Sequence, residues 1–564
     1  MSYRAQVEDI RFIFNKVAPI EQLRQTARFA EVSEDLSDAV LDGMGKLCEE
    51  VIYPTARDGD LTPAVLENGV VRTSPGFKEA FEAIAEGGWV AVSGPEEQGG
   101  MGLPLAYTTA FNEMMSSSNM ALGLCPLLTQ GQCEALEHHA SDALKELYLP
   151  KLISGEWTGT MNLTEPGAGS DVGALKSKAE PNGDGTYAVS GQKIFITWGD
   201  HDFGGNVCHL VLARLPDGVK GTKGISLFMV PKYLPDENGN PGVANDLRVV
   251  SLEHKLGIHG SPTAVMQFDG ARGWLVGEEH KGMAAMFTMM NNARLGVASQ
   301  GVGIAEAAYQ KALDYAKERQ QFGPIVNHAD VRRMLIGMKA DTFAARSIVM
   351  SCAVALDMAT ATGTPEWKAR AALLTPIAKS FATEVGIDVA EQGVQVHGGM
   401  GFIEETGAAQ FSRDVRITAI YEGTNGIQAM DLVGRKMMDG GEAANVLLDE
   451  IEAEVEAARA AMPELAEPVW QACESLREAV EWLVSQTDMN TRFAGSVPFL
   501  MAFGRVLGAY YHMKAALAEG GEGPRSKLAR FYIRRLLPQH VSYLEHARAG
   551  ADDLYAFSLE ELEA

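Results

Sequence analysis

The sequence predicts a mainly α-helical fold with a central β-barrel, and three observations carry that prediction. Long stretches with apolar residues at helical spacing fill both ends of the chain. Short, evenly spaced alternating runs occupy residues 159–275 between them. No internal repeat and no uninterrupted apolar run of about 20 residues disturbs this order.

Five regions follow from that pattern. Residues 1–36 are an N-terminal helical extension that opens YRAQVEDIRFIFNKV. Residues 37–158 are an N-terminal helical domain, with apolar residues at helical spacing from Ser37 to Ile52 and again from Pro75. The glycine-rich stretch Glu96–Pro104 breaks the pattern. Residues 1–158 are expected to be helical as a whole. In residues 159–275, Asn182-Gly183-Asp184-Gly185 signals a turn, and NVCHLVLARL, GISLFMVP and AVMQFDG read as strands. Even, short strands indicate a small barrel or sandwich. Residues 276–440 return to long striped helices joined by short loops, which make a bundle. Residues 441–564 form a further helical domain, acidic from Glu442 to Glu464, apolar from Phe499 to Leu517 and basic on one side from Ser526.

Composition sets limits on function. At 564 residues the chain exceeds what one core usually spans. With 46% hydrophobic and 22% charged residues it is an ordinary globular protein. A net charge of -26 disfavours non-specific binding to nucleic acid. The six cysteines form no C-x-x-C pair and sit beside no clustered histidines, so neither a disulfide framework nor a metal site is expected. The first residues carry acids early and do not read as a signal peptide, and no membrane span is expected. The cytoplasm is the expected location.

Five motifs carry candidate chemistry, and each alone is ambiguous. Thr164-Glu165-Pro166-Gly167-Ala168-Gly169-Ser170-Asp171 lets the backbone approach a ligand, but by itself reads first as a surface loop between domains. Phe195-Ile196-Thr197-Trp198 offers an amide and a hydroxyl beside an aromatic, but by itself reads as an ordinary barrel strand. Arg319-Gln320-Gln321-Phe322-Gly323 ends a long helix with a cation suited to phosphate or to the helix dipole. Gln395 to Phe402 places three glycines after a helix, either as a pyrophosphate surface or as a C-cap, with His397 read as structural. Tyr421-Glu422-Gly423-Thr424-Asn425 sets a carboxylate beside a glycine, either as an accessible base or as a solvated loop acid. Gly301-Val302-Gly303 does not complete a dinucleotide fingerprint and lies in a helical run.

Together, MNLTEPGAGSD, KIFITWGD, ERQQFG, QVHGGMGF and AIYEGTNGIQ resemble the acyl-CoA dehydrogenase family in order and spacing, over roughly residues 40–440. The resemblance implies a helical domain, a β-barrel and a four-helix bundle. The longer ends resemble the extended-chain branch that includes 3-methylmercaptopropionyl-CoA dehydrogenases. It implies FAD between barrel and bundle, held by Met161, Leu163, Thr164, Gly169 and Ser170, with Phe195, Ile196 and Thr197 lining the ring. Arg319, Phe322, Gln395, Gly398 and Gly399 would serve a neighbouring subunit's FAD, and Thr424 the diphosphate. Glu422 would be the base, with Gly423, Ser170 and Arg294 in the substrate site.

By the same resemblance an acyl-CoA becomes a trans-2-enoyl-CoA, electrons pass to electron-transfer flavoprotein, and the chain forms a homodimer or a dimer of dimers. Met161, Phe195 and Gly426 stand where many members carry tyrosine, tryptophan and glutamine. The alternatives are an acyl-CoA oxidase and a flavin-containing DNA-binding relative, whose basic face would be Arg525, Lys527, Arg530, Arg534 and Arg535.

Overall fold

A computed structural model describes residues 3–564. They form two compact units, residues 3–5 with 42–296 and residues 6–41 with 297–564. The N-terminal extension therefore groups with the C-terminal half of the chain. The boundaries after residues 41 and 296 fall inside continuous helices, Glu34–Leu47 and Gly282–Glu318, so no linker composition marks them.

In the unit of residues 42–296 the expected all-helical stretch carries a hairpin. Strands Val65–Glu67 and Val70–Arg72 pair antiparallel around Asn68 and Gly69, which are left-handed at φ 51° and 78°. Asn-Gly is the dipeptide that accepts those angles, so the turn chemistry overrides the surrounding helical pattern. Helix Leu105–His139 breaks at Asn119, where φ is -158° and ψ 92°. Asn119 Oδ1 then accepts from Leu122 N–H at 3.1 Å and restarts the helix as an N-cap does.

The middle of this unit is a seven-stranded mixed sheet. Strand Thr263–Val276 pairs antiparallel with Leu247–Leu252, Tyr187–Thr197 and Ile225–Pro231. Tyr187–Thr197 pairs with Lys178–Pro181, which meets Asn206–Arg214, which pairs in turn with Ile225–Pro231. The pairings thus run in a circuit, with Val189, Val211, Phe228 and Phe268 buried in one cluster. Trp157–Asn162 adds in parallel to Asn206–Arg214 and leads into the Thr164–Asp171 loop. The turn expected at Asn182–Gly185 joins Lys178–Pro181 to Tyr187–Thr197.

Glu134, on helix Leu105–His139, accepts from Asn292 Nδ2 at 2.8 Å. Burial, reinforced by the Glu137 charge, raises its carboxyl from an ordinary 4.5 to about 7 despite that bond. The folded state therefore binds more protons than the unfolded chain between those two values. Stability falls as pH rises through that window, and the full penalty stands above it. Glu134→Gln keeps the shape without the charge. It should melt about 2–4 °C above the parent at pH 8, and level with it near pH 4, by calorimetry at both pH values.

In the unit of residues 6–41 and 297–564 the long helices Gly282–Glu318 (from Val297), Ala329–Thr362 and Pro365–His397 form the bundle. Gly301 and Gly386 explain one close crossing. A Cβ at Gly301 would stand 2.4 Å from Ala382 O, and one at Gly386 2.7 Å from Gly301 O. The glycine pair that fails as a nucleotide fingerprint thus begins at a helix contact. Helix Ala329–Thr362 is long and apolar enough to cross a membrane by length and composition, at mean hydropathy 1.4 without an uninterrupted apolar run. Since 83% of that window is buried, it has the character of a core helix.

Helix Ser496–Glu519 packs onto the bundle through Gly504 and Gly508, where a Cβ would strike the Phe381 ring and Ala344, and Gly508 also makes room for the Tyr532 hydroxyl of helix Pro524–Arg535. Arg505 pairs with buried Asp341, and His512 Nε2 lies 3.0 Å from Ala340 O. The proposed basic face is partly engaged within the unit. Arg525 pairs with Asp9 at 2.6 Å and Arg530 with Glu464 at 3.2 Å. All six cysteines are buried and unpaired.

Candidate active site

The Tyr421–Asn425 motif forms a turn between the 3-10 segment Arg416–Ala419 and helix Asn425–Gly434. Thr424 is the N-cap, its Oγ1 accepting from Ile427 N–H at 3.2 Å. Because the helix starts there, the chain must reverse at the two preceding residues. Both are left-handed, Glu422 at φ 55° and Gly423 at φ 84°. Glycine adopts this conformation freely, whereas a glutamate is strained by about 1–2 kcal/mol and stays only where its surroundings hold it.

Four side chains hold it. Gln428 Nε2 donates to Glu422 O at 3.2 Å. Lys379 Nζ donates to Gly423 O and to Asn425 Oδ1, each at 2.9 Å. Asn425 Nδ2 donates to Thr383 Oγ1 at 3.0 Å and to Glu384 Oε1 at 2.7 Å. On the other side of Glu422, the Tyr421 hydroxyl donates to Gln300 Oε1. Burial, then the Glu422 charge, push the Tyr421 phenol far above its usual range, so it stays a donor. Glu422 itself is half-buried. A carboxylate on a strained, clamped peptide is the arrangement expected of a positioned base.

In the unit of residues 42–296, two motifs are tied by one buried pair. Lys193 Nζ, with no exposed side-chain surface, donates to Glu165 Oε1 at 2.7 Å and to Leu163 O at 3.1 Å. Glu165 also accepts from the backbone N–H groups of Lys176 at 2.6 Å and Ser177 at 3.1 Å. Burial pulls the Lys193 ammonium down to about 8 against the Glu165 charge. Burial likewise opposes ionisation of Glu165, but the Lys193 charge and bond outweigh it and hold the carboxyl below its usual range. Ile194 N–H donates to Thr164 O at 2.9 Å and closes the link between the two motifs.

This link fixes Leu163 and Thr164 beside Phe195–Thr197. Phe195 is left-handed at φ 61° and 59% exposed, a large ring held out at the strand end. Ile196 is buried in the strand core, so only its backbone can meet a ligand. Met161, Thr164 and Thr197 are half-buried, and Gly169 and Ser170 exposed. Arg294 is buried, its Nη1 3.2 Å from Asn291 Oδ1.

A third cluster joins the motifs at Arg319 and Gln395. Tyr315 stacks on His397 at 4.3 Å, bringing the end of helix Gly282–Glu318 against the end of Pro365–His397. His397 Nδ1 lies 2.7 Å from Gly393 O, a structural bond. Arg319, Gln395, Gly398 and Gly399 are exposed. Phe322 is fully exposed in a left-handed turn at φ 54°. Lys379, Gln300, Gln428 and the Glu165–Lys193 pair are functional candidates that the sequence reading did not single out.

Comparison with known proteins bears directly on this arrangement. Residues 35–156, 160–271 and 280–438 match the N-terminal, middle and C-terminal domains of acyl-CoA dehydrogenase. Residues 447–558 match the domain described as acetyl-CoA dehydrogenase C-terminal like. The chain is 45% identical over 550 residues to 3-methylmercaptopropionyl-CoA dehydrogenase of Ruegeria pomeroyi, covering 94% of each chain.

The chain belongs to the acyl-CoA dehydrogenase family.

A second relative of this acyl-CoA dehydrogenase is the broad-specificity linear acyl-CoA dehydrogenase FadE5 of Mycobacterium tuberculosis. It is 32% identical, over 96% of this chain and 97% of that one. The fold matches the Caenorhabditis elegans ACDH-11 structure solved with C11-CoA, at a TM-score of 0.80 and 21% identity, covering 94% of this chain and 91% of that one. The protein is therefore an oxidoreductase of acyl-CoA thioesters, in the branch whose chains extend past the bundle.

Proposed function

We propose that Glu422 is the base of an FAD-dependent α,β-dehydrogenation, with 3-methylmercaptopropionyl-CoA as the first substrate to test. The observation that carries this reading is the clamped left-handed turn that presents Glu422. The circuit of strand pairings is read as the family's β-barrel and the long helices as its four-helix bundle.

The residues at hand fit a flavin. Phe195 offers an exposed ring beside the half-buried Met161 and Thr197, on strands locked together through Lys193. Gly398, at φ 58°, and Gly399 leave open backbone suited to a diphosphate, with Arg319 supplying a cation. Thr424 would touch the diphosphate region of FAD, and Gly169 and Ser170 would leave room for the CoA arm. The exposed Phe322 would be covered by a second copy, which suits a homo-oligomer whose copies share cofactor sites.

The reaction removes one hydrogen from each of Cα and Cβ. Bound FAD would supply the acceptor for the Cβ hydrogen and its electron pair, with electron-transfer flavoprotein as the proposed destination of the two electrons. The protein's own part is acid–base and positioning. The Glu422 carboxylate takes the Cα proton, and the Glu422 N–H donates to the thioester oxygen as negative charge grows there. One such donor is worth about 3–4 kcal/mol. Gly423 would leave space for the thioester, and Arg294 is proposed as a substrate-site residue by its match to the family's motif.

Anaerobic bleaching of the flavin by a panel of acyl-CoAs tests the reading. A short chain, with or without sulfur at the 3-position, should bleach within seconds and release the trans-2-enoyl-CoA. A yellow protein that no acyl-CoA bleaches would sink it. Stoichiometric peroxide in air without any added acceptor would assign the oxidase instead.

A further inference from the structure

We infer that Lys379 is a positioning residue for the base, its buried ammonium fixing the peptide that follows Glu422 and thereby the direction of the carboxylate. The inference rests on Glu422 being the base.

Lys379 lies on helix Pro365–His397 with no exposed surface. A buried ammonium is costly unless its protons are used. Here it donates to Gly423 O and Asn425 Oδ1, one on each side of Thr424. Thr383, one turn along the same face, receives the Asn425 amide at 3.0 Å, so the helix grips the loop at two successive turns. The bonds span the start of helix Asn425–Gly434 and the left-handed pair before it.

The geometry explains why a cation is used. With Glu422 and Gly423 both left-handed, the Gly423 carbonyl turns inward, where an unpaired acceptor would be unsatisfied. Lys379 meets that carbonyl, and Gln428 meets the carbonyl of Glu422. Together they fix both peptide planes after the base, and the Tyr421–Gln300 bond fixes the residue before it. Without the ammonium, the strained pair can relax toward right-handed angles and the carboxylate swings away. Lys379 reaches the reaction only through this loop, so its loss should lower the rate and spare substrate binding.

The test is Lys379→Met, which keeps an apolar stem and removes the donors. The acyl-CoA that bleaches the parent fastest and its trans-2-enoyl-CoA serve as probes. Bleaching should slow about 100-fold, the effect of a small misplacement of a catalytic group. FAD content should hold, and enoyl-CoA affinity, read from the flavin spectrum, should stay within about threefold. A yellow Lys379→Met protein that bleaches within twofold of the parent overturns the inference. So does a loss confined to enoyl-CoA affinity.

Should Lys379→Met fail to fold, Thr383→Val and Asn425→Ala cut the same grip at its second turn. Their bleaching must then slow at least about tenfold at unchanged enoyl-CoA affinity, and unchanged rates overturn the inference. Glu422→Gln runs in parallel. If it bleaches at the parent rate, the base assignment falls. If it is dead while the Lys379 variant is fast, only the positioning role falls.

Discussion

Glu422→Gln is expected to give a yellow protein that binds acyl-CoA and does not turn over. The substitution is nearly isosteric and changes one property, the ability to take a proton. The bonds that hold the turn end on backbone atoms of Glu422 and Gly423 or on neighbouring side chains, so the amide should not release them. The Glu422 N–H, the proposed donor to the thioester oxygen, is also retained. What disappears is proton transfer, which typically contributes about 10²–10⁴-fold. Stopped-flow bleaching under anaerobic conditions should therefore show a rate lower by at least the smaller of those factors. The spectral shift on adding the enoyl-CoA should stay near that of the parent. A variant that bleached as fast as the parent would move the base elsewhere.

The motifs around the turn were legible because their chemistry is local. Asn68-Gly69 carries a hairpin signal that went unread inside a stretch expected to be helical, and Thr424 was read as a hydroxyl for the diphosphate, not as the N-cap that it forms. What holds those motifs in place was not legible, because burial is a property of the fold. Lys193 sits inside a quoted motif, yet alternation along a strand does not say that its ammonium meets Glu165, 28 positions earlier. Lys379 is harder still. A lysine in a long helix is normally a solvated one, and the Gly423 carbonyl it meets lies 44 positions away. One signal was present: Lys379, Ser380 and Thr383 are, with Thr375, the polar residues of the stretch Ala371–Thr383, which is otherwise apolar. A polar group in a buried stripe needs a partner, and here the partners lie on the turn that carries Glu422. Gly301 was rightly set aside as a nucleotide signal because it lies in a helical run, but that a close helix crossing selects the glycine was visible only in the fold.

The second large effect is expected at Lys193, through the cofactor and not through the chemistry. Lys193→Met leaves Glu165 buried without its counter-charge and Leu163 O without a donor. Removing one partner of a buried pair costs about 3–5 kcal/mol. Glu165 keeps the N–H groups of Lys176 and Ser177, which limits the loss but leaves the loop it shapes without its tie to the strand. Leu163 and Thr164 would then no longer be held at a fixed distance from Phe195–Thr197. If about 2 kcal/mol of the cost falls on the ordered loop, FAD binds roughly 30-fold more weakly. The variant should purify largely colourless and regain colour only at high FAD. Pairing it with Glu165→Gln removes the stranded charge, and this double variant should recover part of the stability but little of the FAD affinity. That split separates the two jobs of the pair, because the charge belongs to the core whereas the bond to Leu163 belongs to the site. A Lys193→Met protein with full FAD and the parent's dissociation constant would show that the loop is held by other means.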